Sequence, residues 1–188
     1  MESYSNLSEK PQYPEIAAEL LDMEAADQNM RKEAREDGYW NITIDIENQD
    51  KLKAIISKVG WPTRSKVGAA ASSAAWLIAQ HSDFDPDFQN DCLELIKSEK
   101  NEDISKKQIA YLSDRIRVNS NQPQLYCTQF DTNKDGTISL SEFEGTFEEV
   151  DNRRRKVGME SIKDYLLSIH IVETNPRLDK SLVEYIES

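Results

Sequence analysis

The chain has 188 residues, enough for one domain with a buried core, and its 35 acidic against 23 basic residues give a formal net charge of -12. That balance excludes nonspecific binding to nucleic acid or to anionic membranes, and it suits a cation ligand. No apolar run approaches the length of a membrane span, and MESYSNLSEK lacks the basic and apolar regions of a signal peptide, so the expected compartment is the cytoplasm.

Residues 1–14 are polar, carry two prolines and read as a loose arm preceding one helical domain over 15–188. From Glu15 to about Glu36, apolar residues recur with helical spacing at Ile16, Leu20, Met23, Met30 and Ala34. The same stripe takes in Asp27, with Arg31 one turn later. A carboxylate on an apolar face needs a partner, either this i,i+4 arginine or a functional group elsewhere. Asp37-Gly38 ends the helix, and YWNITIDI reads as a short extended or loop segment. Leu52, Ile55, Ile56 and Val59 predict a second helix, stopped at Gly60-Trp61-Pro62. Thr63 or Ser65 then caps a third, running to about His81 and rich in Gly, Ala and Ser.

His81 falls on the face of Ala74, Leu77 and Ile78, where an imidazole is a core residue, a partner for the helix dipole, or a general acid or base. In SDFDPDFQNDCLELI, Asp85 as N-cap with Pro86 at the first helical position accounts for the acidic cluster without a metal. Ser105 and Gln108 have the spacing of a capping box for a helix that buries Ile109, Leu112 and Ile116 and carries Asp114-Arg115. QLYCTQF after Pro123 reads as a strand. Cys92 and Cys127 form no metal-type spacing and are expected as buried small hydrophobes.

Residues 131–142 fit the calcium-loop pattern D-x-[DN]-x-[DN]-G-x5-E at every defined position. Asp131, Asn133 and Asp135 supply side-chain oxygens, Thr137 a carbonyl, Ser139 a water-mediated contact and Glu142 a bidentate carboxylate, with Gly136 at the sharp turn. Calcium takes six to eight oxygens, and this spacing wraps one segment around such a sphere. QLYCTQF is a poor entering helix, however, and Ser139 with Glu142 could instead cap the exiting one.

That helix, expected over 141–157, puts Phe143, Phe147, Val150 and Val157 in one stripe. Arg153, Arg155 and Lys156 read as a solvated face, with Glu149 and Asp151 four residues before the two arginines. Arg154 points inward, where a guanidinium needs a carboxylate or an anionic ligand. SIKDYLLSI predicts a further helix, in which His170 is incidental, and a tail helix follows Pro176. The expected fold is mainly α: a compact single-domain helical bundle with a short β segment or hairpin around 124–140.

The motifs DQNMR at 27–31, GWPTRSKVG at 60–68, QHSD at 80–83, YLSDR at 111–115, QLYCTQ at 124–129 and DNRRRKVG at 151–158 stand in an order and spacing that resemble an uncharacterised bacterial family, a domain of unknown function. The resemblance covers roughly residues 16–170. It implies that Asp27, Gln80, His81, Asp114, Arg115, Gln124, Tyr126, Gln129, Arg153 and Arg154 share a polar site. It also implies glycine where this chain has Cys127, and gives no precedent for the calcium loop.

Three functions follow as expectations. The first is a calcium-binding protein whose single loop braces the polar pocket. The second is a hydrolase- or transferase-like enzyme, with His81 as general acid or base, Asp27 or Asp114 orienting it, and Arg154 as an anion clamp. Gln80, Arg115, Gln124, Tyr126, Gln129 and Arg153 would then hold a small polar or anionic substrate. The third is an interaction module of immunity or antitoxin type with a basic partner.

Overall fold

A computed structural model describes residues 10–100, 103–172 and 177–188; most of the expected N-terminal arm and the side chain of His170 lie outside the described residues. Its elements are α1 (Pro14–Asp37), α2 (Ile42–Val59), α3 (Arg64–Val67), α4 (Ala69–Gln80), α5 (Pro86–Ser98), α6 (Lys106–Asn119), β1 (Phe130–Thr132), β2 (Ile138–Leu140), α7 (Phe147–Lys156), α8 (Ile162–Val172) and α9 (Lys180–Glu187). The fold is thus mainly α-helical with a short antiparallel hairpin, in which Phe130, Asp131 and Thr132 face Leu140, Ser139 and Ile138. Internal packing groups the chain into two units, divided after Ile104.

In the first unit, α1 packs most extensively on α4. Ala71, Ala74, Ala75 and Ala79 are buried on α4, and side chains this small let the helix axes come close together. Leu20, Met23 and Met30 of α1 and Leu52 and Ile55 of α2 fill the core they share with Ile78. The segment ITIDI is helical, not extended. The Asn41 side chain accepts the Thr43 N–H and so starts α2 early, and Asp45, Asn48 and Gln49 prolong its buried face toward Leu52 and Ile55. Asn48 donates to the Met23 carbonyl at 3.1 Å, pinning α2 to α1.

The expected third helix is broken in two at Gly68, whose φ of 84° and ψ of 162° no side-chain-bearing residue adopts without strain. Neither Thr63 nor Ser65 caps α3 with its own side chain. Asp103 supplies the acceptor instead, taking the Ser65 N–H at 2.6 Å and hydroxyl at 2.5 Å. Asp85 does cap α5, accepting the Phe88 N–H at 3.1 Å and pairing with Lys53 at 2.9 Å.

The second unit buries Cys127, Ile138, Val150, Ile162, Leu166, Leu178, Leu182 and Ile186 together. Phe147 stacks between Phe143 and Tyr185, at centroid distances of 5.1 and 4.1 Å. The Ser105–Gln108 capping box is not made, since the Ser105 side chain caps nothing. The box forms at Thr146 and Glu149, so the helix after the hairpin starts at Phe147, and Glu142 lies outside it. QLYCTQF is not a strand: only Phe130 joins β1, and Gln124 makes a single bridge to Phe143.

Lys53 and the Phe88 N–H hold the Asp85 carboxyl below its ordinary range. A lowered folded-state pKa means the stabilisation exists above the unfolded value near pH 4 and is lost as pH falls through the folded value. Asp85→Ala is therefore expected to cost about 1 kcal/mol at pH 7 in chemical denaturation, with the gap to wild type closing as pH falls through the folded-state value. A gap that persists unchanged at low pH would contradict the charged-cap role.

Candidate functional site

The stripe of α1 carries Asp27 into the core of the first unit, where it is 1% exposed. Three side chains meet its carboxylate. Arg31 Nη1 donates to Oδ1 at 2.5 Å and Gln28 Nε2 to Oδ2 at 2.7 Å. His81 Nδ1 lies 2.9 and 3.1 Å from the two oxygens. Because an ionised carboxylate only accepts, Nδ1 carries the proton in this pair, and in the neutral ring the lone pair is on Nε2. His81 keeps 17% of its side chain exposed, so the pair is reachable on the histidine side.

The end of α4 fixes that imidazole. Ser82 Oγ donates to the Ile78 carbonyl, and fully buried Gln89 donates to the carbonyls of Ala79 and Gln80 and to Asp83. These bonds satisfy the last carbonyls of the helix and leave His81 as its C-cap. Gln80 itself is buried, with an Oε1 that finds no partner among the described residues. Arg31 reaches further: its Nη2 lies 3.0 Å from buried Asp45, and its guanidinium sits 4.8 Å from the centroid of Trp40. One cation therefore serves two buried acids, and Asp45 is the member that the extended reading of ITIDI concealed. The clefts of ≈ 480 and ≈ 230 Å³ along α1 are lined by such residues as Glu19 and Lys51, and Asn29 and Tyr39, and not by Asp27 or His81.

In the second unit the expected site residues serve the backbone. Asp114, fully buried on α6, accepts the N–H groups of Leu125, Tyr126 and Thr128 and the Thr128 hydroxyl, at 2.7 to 3.2 Å. Burial pushes its pKa up, against the pull of these donors. Arg153 Nε donates to the Leu125 carbonyl at 2.7 Å, and its Nη2 to that of Glu144. Arg154 donates to Tyr126 and Glu160 carbonyls, both at 2.7 Å, and packs on Tyr165. Gln124 accepts the N–H groups of Thr128 and Gln129 and donates to the carbonyls of Gln129 and Ser141.

These contacts correct three expectations. The inward Arg154 is met by carbonyls, with Glu160 only at 3.9 Å; it has no exposed surface, and its Nη2 finds no hydrogen-bond partner among the described residues. Asp114 orients a loop, not an imidazole. Arg153 is not a solvated charge. Tyr126 enters through its main chain, Gln129 donates to Thr128, and Arg115 is half-buried on α6. Convergence of N–H groups on Asp114 also explains why 124–129 is no strand, because a strand points successive N–H groups to opposite sides. The chain achieves this with Cys127 at φ 54°, the left-handed region that glycine takes most easily.

The calcium-type loop forms the hairpin turn. Asn133 donates to the Thr137 hydroxyl, Thr137 donates from N–H and hydroxyl to Asp135, and Ser139 donates to Asn133. The Thr137 hydroxyl and N–H hold Asp135 below the usual carboxylate range. Asp131 and Glu142 are not in this network. They line a cavity of ≈ 240 Å³ beside the end of α6. Among the described residues, no group of three or more His, Cys, Asp and Glu side chains is placed to hold a metal ion.

Asp114→Asn turns an amide N–H₂ toward buried N–H groups and leaves donors unsatisfied. It should cost about 2–4 kcal/mol in chemical denaturation, more than an exposed Asp→Asn change. A loss below about 0.5 kcal/mol would remove Asp114 as the anchor of 124–129.

No helix among the described residues is long and apolar enough to cross a membrane. No curated protein and no solved structure matches the chain. A family model does, over residues 14–174, which include both the Asp27–His81 pair and the Asp114 anchor. The chain belongs to DUF6624, a family of unknown function.

Proposed function

We propose that the chain is a hydrolase- or transferase-like enzyme in which His81 acts as general acid or base and Asp27 orients it. The observation that carries this reading is the contact of His81 Nδ1 with both oxygens of a carboxylate that is itself 1% exposed. A buried carboxylate on Nδ1 fixes the tautomer and stabilises the imidazolium formed when Nε2 takes a proton. Arg31 and Gln28 hold the carboxylate in place from its other sides, so the imidazole meets a positioned acceptor.

A structural role alone explains the pair less well. A histidine serving only as packing or as an ion-pair partner would be closed off, whereas His81 keeps 17% of its side chain exposed beside a carboxylate that is itself buried. The reaction class follows from what the pair can do, which is to remove a proton from a nucleophile and return it to a leaving group.

The test has two arms. Long-range proton–nitrogen NMR of the wild-type chain should show the neutral His81 ring protonated at Nδ1 and bare at Nε2, with that preference lost in Asp27→Asn. A panel of chromogenic carboxylate esters, phosphoesters and glycosides should then reveal a turnover that His81→Gln lowers by about 10²–10⁴-fold while its melting temperature stays close to wild type. An Nε2–H tautomer in the wild type, or turnover indifferent to His81, would sink the proposal.

A further inference from the structure

A second site, independent of the acid–base pair, lies in the second unit. The cavity of ≈ 240 Å³ beside the C-terminal end of α6 is lined by Val118, Asn121, Gln122, Asp131, Ser141 and Glu142. Every polar member offers oxygen: two carboxylates, two amide carbonyls and one hydroxyl. Ser141 is the informative one. It is 4% exposed, and its Oγ has no hydrogen-bond partner among the described residues. Its main-chain groups are already committed, the N–H to the Gln129 carbonyl and the carbonyl to Gln124 Nε2. The hydroxyl is therefore the polar group that Ser141 has left for the cavity, and leaving it buried without a partner is unfavourable.

We infer that this cavity is a divalent-cation site for calcium, with Asp131 and Glu142 as the charged ligands and Ser141, Asn121 and Gln122 as neutral ones. An all-oxygen set selects a hard cation and disfavours zinc or copper. Two carboxylates with up to two oxygens each, three neutral oxygens and water in the remaining space reach the six to eight ligands calcium accepts. Magnesium, which demands a near-ideal octahedron and gives up water reluctantly, fits an open, irregular set less well. Asp131 and Glu142 are the first and last positions of the calcium-type sequence pattern. Its middle positions, Asn133, Asp135, Thr137 and Ser139, bond one another across the hairpin turn. The metal thus sits beside the loop, held by its two ends and by the turn that follows α6.

Isothermal titration of the full chain with calcium chloride, with magnesium chloride as control, tests the site against a cation wrapped by the loop. Wild type is expected to bind one calcium per chain at least tenfold more tightly than magnesium. Asp131→Asn and Glu142→Gln should each weaken binding more than tenfold, and Ser141→Ala and Gln122→Ala about threefold or more. Asp135→Asn, which retains the oxygen that accepts from Thr137, should stay within twofold of wild type. Folding of each variant is checked by melting in EGTA. A tenfold loss in Asp135→Asn, with Ser141→Ala and Gln122→Ala unchanged, returns the metal to the loop and overturns the cavity site. Absence of binding to wild type at millimolar calcium overturns it as well, and neither result bears on His81.

Discussion

The second unit depends on one carboxylate. Between Gln124, which bridges Phe143, and Gln129, whose carbonyl takes the Ser141 N–H, the chain runs without a partner strand, and its backbone must still be satisfied in a largely buried setting. Asp114 gathers N–H groups from Leu125, Tyr126 and Thr128, while Arg117, Arg153 and Arg154 take the carbonyls of Pro123, Leu125 and Tyr126. Charged side chains thus do for this segment what a neighbouring strand does in a sheet. Charge-assisted bonds are roughly twice as strong as neutral ones, so an irregular segment held this way can be as rigid as a regular one. It also explains how most of a guanidinium stays enclosed: carbonyl oxygens take Nε and Nη1 and the face of Tyr165 covers the plane, while Nη2 has no hydrogen-bond partner among the described residues.

The first unit uses charge for another end. Arg31 stands between Asp27 and Asp45, two acids that would otherwise repel in a medium of low dielectric. With Arg31 engaged by both acids, Asp27 can still meet an imidazole from α4 without being fully neutralised by a private partner. The cation makes burial of the acids tolerable, and the histidine gives one of them a further partner.

Helical periodicity made much of this legible. The α1 stripe places Asp27 inside, the helix face of α4 turns His81 inward, and Asp85-Pro86 marks the start of α5. What failed did so for identifiable reasons. ITIDI is β-branched and reads as extended, but Asn41 caps it and Asp45, Asn48 and Gln49 bury on the helical period, a polar stripe that an apolar-only pattern passes over. QLYCTQF has strand composition, yet Asp114, ten residues before its first member, dictates its course. The capping-box spacing occurs at both Ser105 and Thr146, and only the second is used. The inward turn of Arg154 was readable from its stripe, whereas its acceptors were not, because main-chain carbonyls carry no residue signature.

The pairing of Ile138 with the chain's last segment has a consequence for the protein among other proteins. Ile138 gives its N–H to Arg177 and its carbonyl to Asp179, so a strand only three residues long has its outer side occupied from within the same molecule. An isolated two-stranded ribbon is marginal in water, and its bare rim is a template on which a foreign chain can add. By folding its tail back over that rim before α9 begins, the chain both supplies the ribbon with a third segment and denies the position to any other polypeptide.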